Sequence, residues 1–181
     1  MAFNIDETLY SPYTTDLLAN HQYQGQTNDC GPYCLAITTT TLNSIGAKGA
    51  EVADDLNRVR WNSILPTLRR IPGNATLPWG MQDGFRQRGL IATWRIFTPM
   101  QVLQDRLPLD NVLVVINGGW KPMWAHYRVL CAWSKSFGWG FVDPAVAEPS
   151  VHWVSDAEFR REWRAMGQIL IIVKRPNPDL M

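Results

Sequence analysis

Gln24-Gly25-Gln26-Thr27-Asn28-Asp29-Cys30-Gly31-Pro32-Tyr33-Cys34-Leu35-Ala36-Ile37 is the stretch from which the rest of the chain can be read. A polar, glycine-bearing loop gives way at Cys30 to a segment whose Cys34, Leu35, Ile37, Thr38 and Leu42 fall near one helical face, which predicts a helix over 30–43. Asp29 stands where an N-cap belongs, and Pro32 sits in the first turn, where its missing N–H is not needed. The β-branched run Thr38–Thr41 weakens the helix locally, and Gly46 and Gly49 suit its end. A thiol at the start of a helix meets the positive end of the macrodipole and free N–H groups, and both favour the nucleophilic thiolate. Gly31 leaves the approach to sulfur open. The plain alternative is a buried, inert cysteine, because cysteine is among the most buried residue types.

A thiolate that attacks needs a base and a group to orient that base. His126 opens a predicted strand, Tyr127–Trp133, after a glycine-rich turn, and Asp143 ends the next, Gly138–Val142, where Pro144 stops it. A short turn over Ser134–Phe137 makes these an antiparallel hairpin, so its outer ends, His126 and Asp143, lie side by side. A carboxylate there can hold the imidazole tautomer that faces sulfur. Taken singly, His126 reads as a surface or core histidine and Asp143 as a turn residue before proline. An oxyanion would also need a donor that does not titrate. Gln22, Gln24 and Gln26 all precede Cys30, and the residues alone do not choose among them.

The chain has 181 residues, the size of one ordinary domain, and enough to bury a core without disulfides. Hydrophobic residues make up 46% and charged residues 18%, which excludes a disordered chain. A net charge of +1 gives no global case for nucleic acid or an anionic membrane. The basic clusters Arg58, Arg60, Arg69, Arg70 and Arg160, Arg161, Arg164 read as solvated helix faces. Nothing approaches the ~18 apolar residues of a membrane helix, and the N-terminus, with Asp6 and Glu7, lacks the form of a signal peptide. A cytoplasmic location follows as an expectation. The three cysteines, Cys30, Cys34 and Cys131, argue against a disulfide framework. With His21, His126 and His152 scattered, no metal site or cofactor is expected. His152 is the fallback base, and His21 is read as surface.

The remaining elements follow in order. Residues 1–20 are expected to be an extended lead-in to a single domain spanning 1–181, and 174–181 a frayed tail. Short helices are predicted over 51–59, 81–88 (closed by Gly89) and 99–106, with a strand over 91–97. Val112–Ile116 reads as a buried strand ended by Gly118 and Gly119, with further strands at 151–154 and 168–173. Ser155 and Glu158 form a capping-box pattern for a helix to about Ala165. Helices followed by mostly antiparallel strands indicate an α+β domain. Trp120, Trp124, Trp133, Trp139 and Trp153 crowd the hairpin, as core or as cleft wall.

The segment Gln24–Pro32, the Leu35-Ala36-Ile37 helix, His126, and Asp143-Pro144 together resemble the C39-like peptidases, papain-like cysteine peptidases that include bacterial double-glycine leader peptidases. The resemblance runs from about Gln24 to Val173. It implies a papain-like α+β fold with a nucleophile helix and helical half packed on a mostly antiparallel sheet. It also implies a thiol protease with Cys30 as nucleophile, His126 as general base and then acid, Asp143 as orienting group, and Gln24 as oxyanion donor. The implied partner is a peptide or protein substrate. Tyr33 and Cys34 depart from the family's small residues, the former free to narrow the cleft and the latter a core residue or a redox partner for Cys30. The residues 46–110 match loosely, and the chain is not expected to be the N-terminal part of a bacteriocin exporter. Three other readings remain beside peptide hydrolysis: glutamine deamidation or acyl transfer by the same triad, a toxin-like peptidoglycan amidase, and a papain-like module that grips peptides without cutting them.

Overall fold

A computed structural model describes residues 7–62, 65–71 and 73–177. In chain order its elements are β1 (Thr8–Tyr10), α1 (Thr14–Ala19), α2 (Cys30–Asn43), α3 (Gly49–Asn57), β2 (Arg60–Asn62), β3 (Leu65–Thr67), α4 (Pro78–Gln87), β4 (Ile91–Arg95), α5 (Met100–Arg106), β5 (Val112–Trp120), β6 (Met123–Ser134), β7 (Gly138–Val142), β8 (His152–Val154), α6 (Asp156–Ala165) and β9 (Leu170–Lys174). The main sheet runs β4-β9-β5-β6-β7-β8, with β1 on the end of β6 beyond β5. Every pairing in it is antiparallel. Helices on an antiparallel sheet make this an α+β fold, as the sequence indicates.

The sheet is covered on both faces, and β5 shows why its sequence reads as a continuous apolar run. Val112, Val114 and Ile116 enter one core with Leu35, Ile37 and Leu56 of α2 and α3. Leu113 and Val115 enter a second with Leu103 of α5 and Phe159 and Trp163 of α6. Alternate side chains of a strand point to opposite faces, so each face receives its own apolar set. Helix α2 lies inside the first core and is buried nearly all round, from Gly31 to Leu42. The threonine run is tolerated because Thr38, Thr39 and Thr41 are enclosed by packing rather than exposed on a helix surface.

Several expectations are corrected. Residues 1–20 are not an extended lead-in: residues 8–10 are strand and 14–19 helix, while 1–6 lie outside the described residues. The tail is tied where it is described. Lys174 is the last residue of β9, and Arg175 Nε donates to the Leu42 carbonyl; 178–181 lie outside the described residues. Gly118 and Gly119 do not end β5, which pairs with β6 as far as Trp120↔Met123. A Cβ on Gly118 would lie 2.5 Å from the Trp124 carbonyl oxygen, so close packing rather than chain reversal needs glycine there. Helix α2 ends with Ser44 at φ 56°, and Gly49 instead begins α3, where the Tyr33 ring lies against it. No helix among the described residues is long and apolar enough to cross a membrane.

At Gly80 in α4, a Cβ would lie 2.0 Å from the Arg69 carbonyl oxygen. Gly→Ala in a free helix stabilises by about 1 kcal/mol. Here Gly80→Ala must push apart α4 and the segment before it, with an expected loss of about 1–3 kcal/mol by urea denaturation. A variant as stable as the wild type would contradict this packing.

Candidate active site

Cys30 is the first residue of α2 and is half-buried. Asp29 occupies the N-cap position but makes no capping hydrogen bond. Its carboxylate instead pairs with Arg70, whose side chain is 2% exposed and also donates to the Asn28 carbonyl at 3.2 Å. Arg69 is equally enclosed and pairs with Asp55 and Asp83. Neither arginine lies on a solvated helix face. Buried guanidinium groups must be paired: Arg70 ties its segment to the loop before Cys30, and Arg69 ties the same segment to α3 and α4. Gly31 fits beneath that chain: a Cβ there would lie 2.8 Å from Thr76 Cβ.

His126 is the fourth residue of β6, whose hairpin with β5 turns at Lys121-Pro122, so the strand begins earlier than the sequence suggests. Its Nε2 is 2.6 Å from Asp143 Oδ1, which leaves Nδ1 for the sulfur of Cys30. Asp143 follows β7, and the pairing Val129↔Val142 brings it level with Arg128. It is 3% exposed, accepts from Arg128 Nε at 2.8 Å on Oδ2, and accepts from the Ala145 N–H at 2.8 Å on Oδ1. The structure therefore brings Cys30, His126 and Asp143 together. Arg128 has no counterpart in the sequence reading, although its position two residues after His126 on a strand, on the same face, was the available signal.

The electrostatics oppose burial at each group. Burial pushes the Cys30 thiol up, but the hydrogen bond and charge of His126, with backbone hydrogen bonds at Tyr127 and Gly31, outweigh it and leave the thiol lowered. Burial pushes His126 down, while Asp143 and Cys30 raise it to about 9. Burial raises Asp143, while His126 and then Arg128 lower it to about 2. All three shifts run toward the charged forms, thiolate, imidazolium and carboxylate in a row, a coupled set rather than three independent sites.

Gln24 and Cys30 line one cleft of about 440 Å³ with His126. The Gln24 side chain donates from Nε2 to the Thr27 carbonyl at 2.7 Å, and its Oε1 is buried without a hydrogen-bond partner among the described residues. Gln22 is spent elsewhere, donating to the Ala47 carbonyl and accepting from the Gly49 N–H, and Gln26 is exposed. The remaining cleft wall is uncharged: Asn28, Asn74 and Thr76 on the helical side, Ile116, Trp124 and Met166 on the sheet side. Tyr33 packs on Gly49 and does not narrow the cleft. Cys34 is a fully buried free thiol, pushed well up by burial and then by Cys30, and Cys131 is pushed up to about 12 by burial. His152 is exposed on β8, away from the cleft lining. His21 is half-buried, and its Nε2 lies 3.1 Å from the Asp143 backbone oxygen. Trp139 belongs to the core, Trp124 to the cleft, and Trp120 is 67% exposed. No cluster among the described residues could hold a metal ion.

His126 is raised from 6.5 to about 9, so its contribution to stability is complete below 6.5 and is lost as pH rises through about 9. Asp143 is lowered from 3.8 to about 2, so its contribution is present above 3.8 and is lost as pH falls through about 2. In NMR titration the His126 ring should titrate near 9 in the wild type. In Asp143→Asn it should titrate about 1–3 pH units lower. A midpoint unmoved by Asp143→Asn would show that the 2.6 Å contact does not set the imidazole's charge.

No protein-family model matches the chain, and no curated protein matches it. Solved structures do. A crystal structure from Bacillus anthracis described as a C39-like peptidase matches with a TM-score of 0.72 at 13% identity, covering 95% of this chain and all of that one. The peptidase domain of Streptococcus ComA, a bifunctional ABC transporter involved in quorum sensing, matches with a TM-score of 0.59 at 19% identity, over 86% of this chain and 97% of that one. A double-glycine-motif protease from an AMS/PCAT transporter, solved with a leader peptide, matches with a TM-score of 0.56 at 18% identity, over 86% and 91%. The α+β fold of this chain is the fold of the C39-like, papain-like peptidases.

Proposed function

We propose that residues 1–181 act as one catalytic domain, a cysteine hydrolase that cleaves peptide or amide bonds. The observation that carries this reading is the row Cys30–His126–Asp143, hydrogen-bonded in sequence at the mouth of an uncharged cleft. The Cys30 thiolate attacks the substrate carbonyl carbon and forms a C–S bond, and the carbonyl electron pair moves to oxygen. The second amide proton of Gln24 and the Cys30 backbone N–H, free as at every helix start, stabilise that oxyanion. The imidazolium of His126 gives its proton to the leaving nitrogen as the C–N bond breaks, leaving a thioester. His126 then takes a proton from water, whose oxygen attacks the thioester and releases the acid and the thiolate. Asp143 keeps the imidazole oriented throughout.

The cleft lining carries no Asp, Glu, Lys or Arg among the described residues, which favours substrates uncharged beside the scissile bond. A peptide substrate is consistent with the leader peptide held by the AMS/PCAT transporter protease of the same fold. Deamidation, acyl transfer and the peptidoglycan amidase reading would use the same groups, and the product separates them: released ammonia, a crosslink, or cleaved peptide. A module that binds without cutting would have no use for a thiol held lowered by His126.

The primary experiment is site-resolved alkylation with iodoacetamide from pH 5 to 9. Cys30 should react well below the free-thiol value of ~8.5, and His126→Ala should abolish that reactivity. Cys34 and Cys131 should stay silent in the folded protein. A Cys30 that labels only at alkaline pH would remove the nucleophile and with it this reading.

On any peptide that screening identifies, the rate should form a bell, rising as Cys30 ionises and falling near 9 as His126 loses its proton. Gln24→Ala should lower kcat by about 10²–10³-fold with KM little changed, and Gln26→Ala should leave both unaltered. Equal effects of the two variants would remove Gln24 from the oxyanion role.

A further inference from the structure

A carboxylate that orients a histidine must itself be oriented. Asp143 Oδ1 serves His126, and a carboxylate with its second oxygen loose could rotate and offer either oxygen at a range of angles. Here Oδ2 is taken by Arg128 Nε at 2.8 Å. Arg128 is not a mobile surface arginine. Its side chain is 14% exposed and its guanidinium lies over the Phe141 ring, 5.7 Å from the centroid. Its Nη1 has no hydrogen-bond partner among the described residues and stands 3.8 Å from Glu162 Oε2. Glu162, on α6, in turn accepts from Asn117 Nδ2 of β5 at 3.3 Å, and Asn117 is fully buried. From α2 to α6 the groups alternate in sign: thiolate, imidazolium, carboxylate, guanidinium, carboxylate. Each charge taken out of water has an opposite neighbour.

We infer that Arg128, held by Glu162, is a positioning residue: it fixes the Asp143 carboxylate in the orientation that directs Oδ1 to His126. The inference rests on Cys30 and His126 being the reacting pair. The titratable and charged groups that face Asp143 are His126 and Arg128 of β6 and Cys34 of α2, with Glu162 of α6 behind Arg128 and His21 against its backbone oxygen.

The sign of one shift separates positioning from simple charge. Removing the positive charge of Arg128 would, by itself, make the imidazolium easier to keep and move the His126 midpoint up. Releasing Asp143 from its orientation weakens its hold on the imidazolium and moves the midpoint down. Arg128→Met should therefore lower the His126 midpoint, read by NMR. It should also slow Cys30 alkylation at pH 7 and reduce kcat on a screened peptide by about 10²-fold with KM nearly constant, the size expected for a misplaced reacting group. Arg128→Lys, which keeps the charge but not the planar fork, should recover part of the rate. Glu162→Gln should slow alkylation and reduce kcat in the same way but less strongly. Losing its negative charge would by itself lower the midpoint, so Arg128→Lys, which keeps the charge and should still lower the midpoint, carries that test if Arg128→Met does not fold. Arg160→Gln, on the same helix and paired with Asp156 at the surface, should change nothing. An unmoved or raised His126 midpoint in Arg128→Met or Arg128→Lys, with alkylation at the wild-type rate, overturns the inference and leaves the proposed reaction standing. A wild-type Cys30 without enhanced reactivity overturns both.

Discussion

One ionised carboxylate, enclosed at the end of β7, is the interaction on which the site depends. Asp143 is 3% exposed, and a lone buried carboxylate would simply take up a proton. It stays charged because three donors from separate places converge on it: an imidazole, a guanidinium and a backbone N–H from its own turn. Two of those donors sit two residues apart on β6. The β6–β7 pairing must therefore be right to the residue before the site can exist. The fold's many antiparallel ladders serve, at this point, to place one oxygen.

The other half of the site depends on a different kind of anchor. Helix α2 is enclosed by the sheet and by α1, α3 and α4, so its position is fixed by packing. Its first residue, however, projects to the edge of that packing. There the burial of Arg70 takes over, joining the loop before the helix to the segment that closes over Gly31. The nucleophile is thus held by a rigid helix on one side and a buried ion pair on the other. The uncharged cleft lies between this wall and the β5–β6 hairpin.

Much of this was legible in the sequence, for reasons that are local. The bounds of α2 follow from Pro32 and the apolar spacing after it. The nearness of His126 to Asp143 follows from their places at the open end of one hairpin, although the register sets Arg128 rather than His126 level with Asp143. What escaped was long-range. Asp29 has the composition and position of an N-cap, yet an arginine 41 residues away takes its carboxylate. Arg69 and Arg70 look like surface residues because nothing nearby reveals that acidic partners arrive from α2's loop, α3 and α4. Gly118 and Gly119 carry a turn signal, but their use is clearance for Trp124 and Met166. Helix α1 is a short turn within a polar opening, with Leu17 alone fully buried, too small a periodic signal to read.

The double covering of β5 has a consequence for how the strand finds its place. Ordinarily a slip by one residue is opposed because it turns apolar side chains to water. Along Val112–Ile116 that penalty is absent, since both faces are greasy and either set of valines and leucines would be buried after the slip. The information that rejects the misaligned strand has to come from what is not greasy. Asn117 would leave Glu162 and enter the α2 side without that partner, and the bare backbone of Gly118 would no longer lie under Trp124. A buried amide and a missing methyl group thus act as the proofreading marks of the central strand, and they stand at the end nearest the cleft.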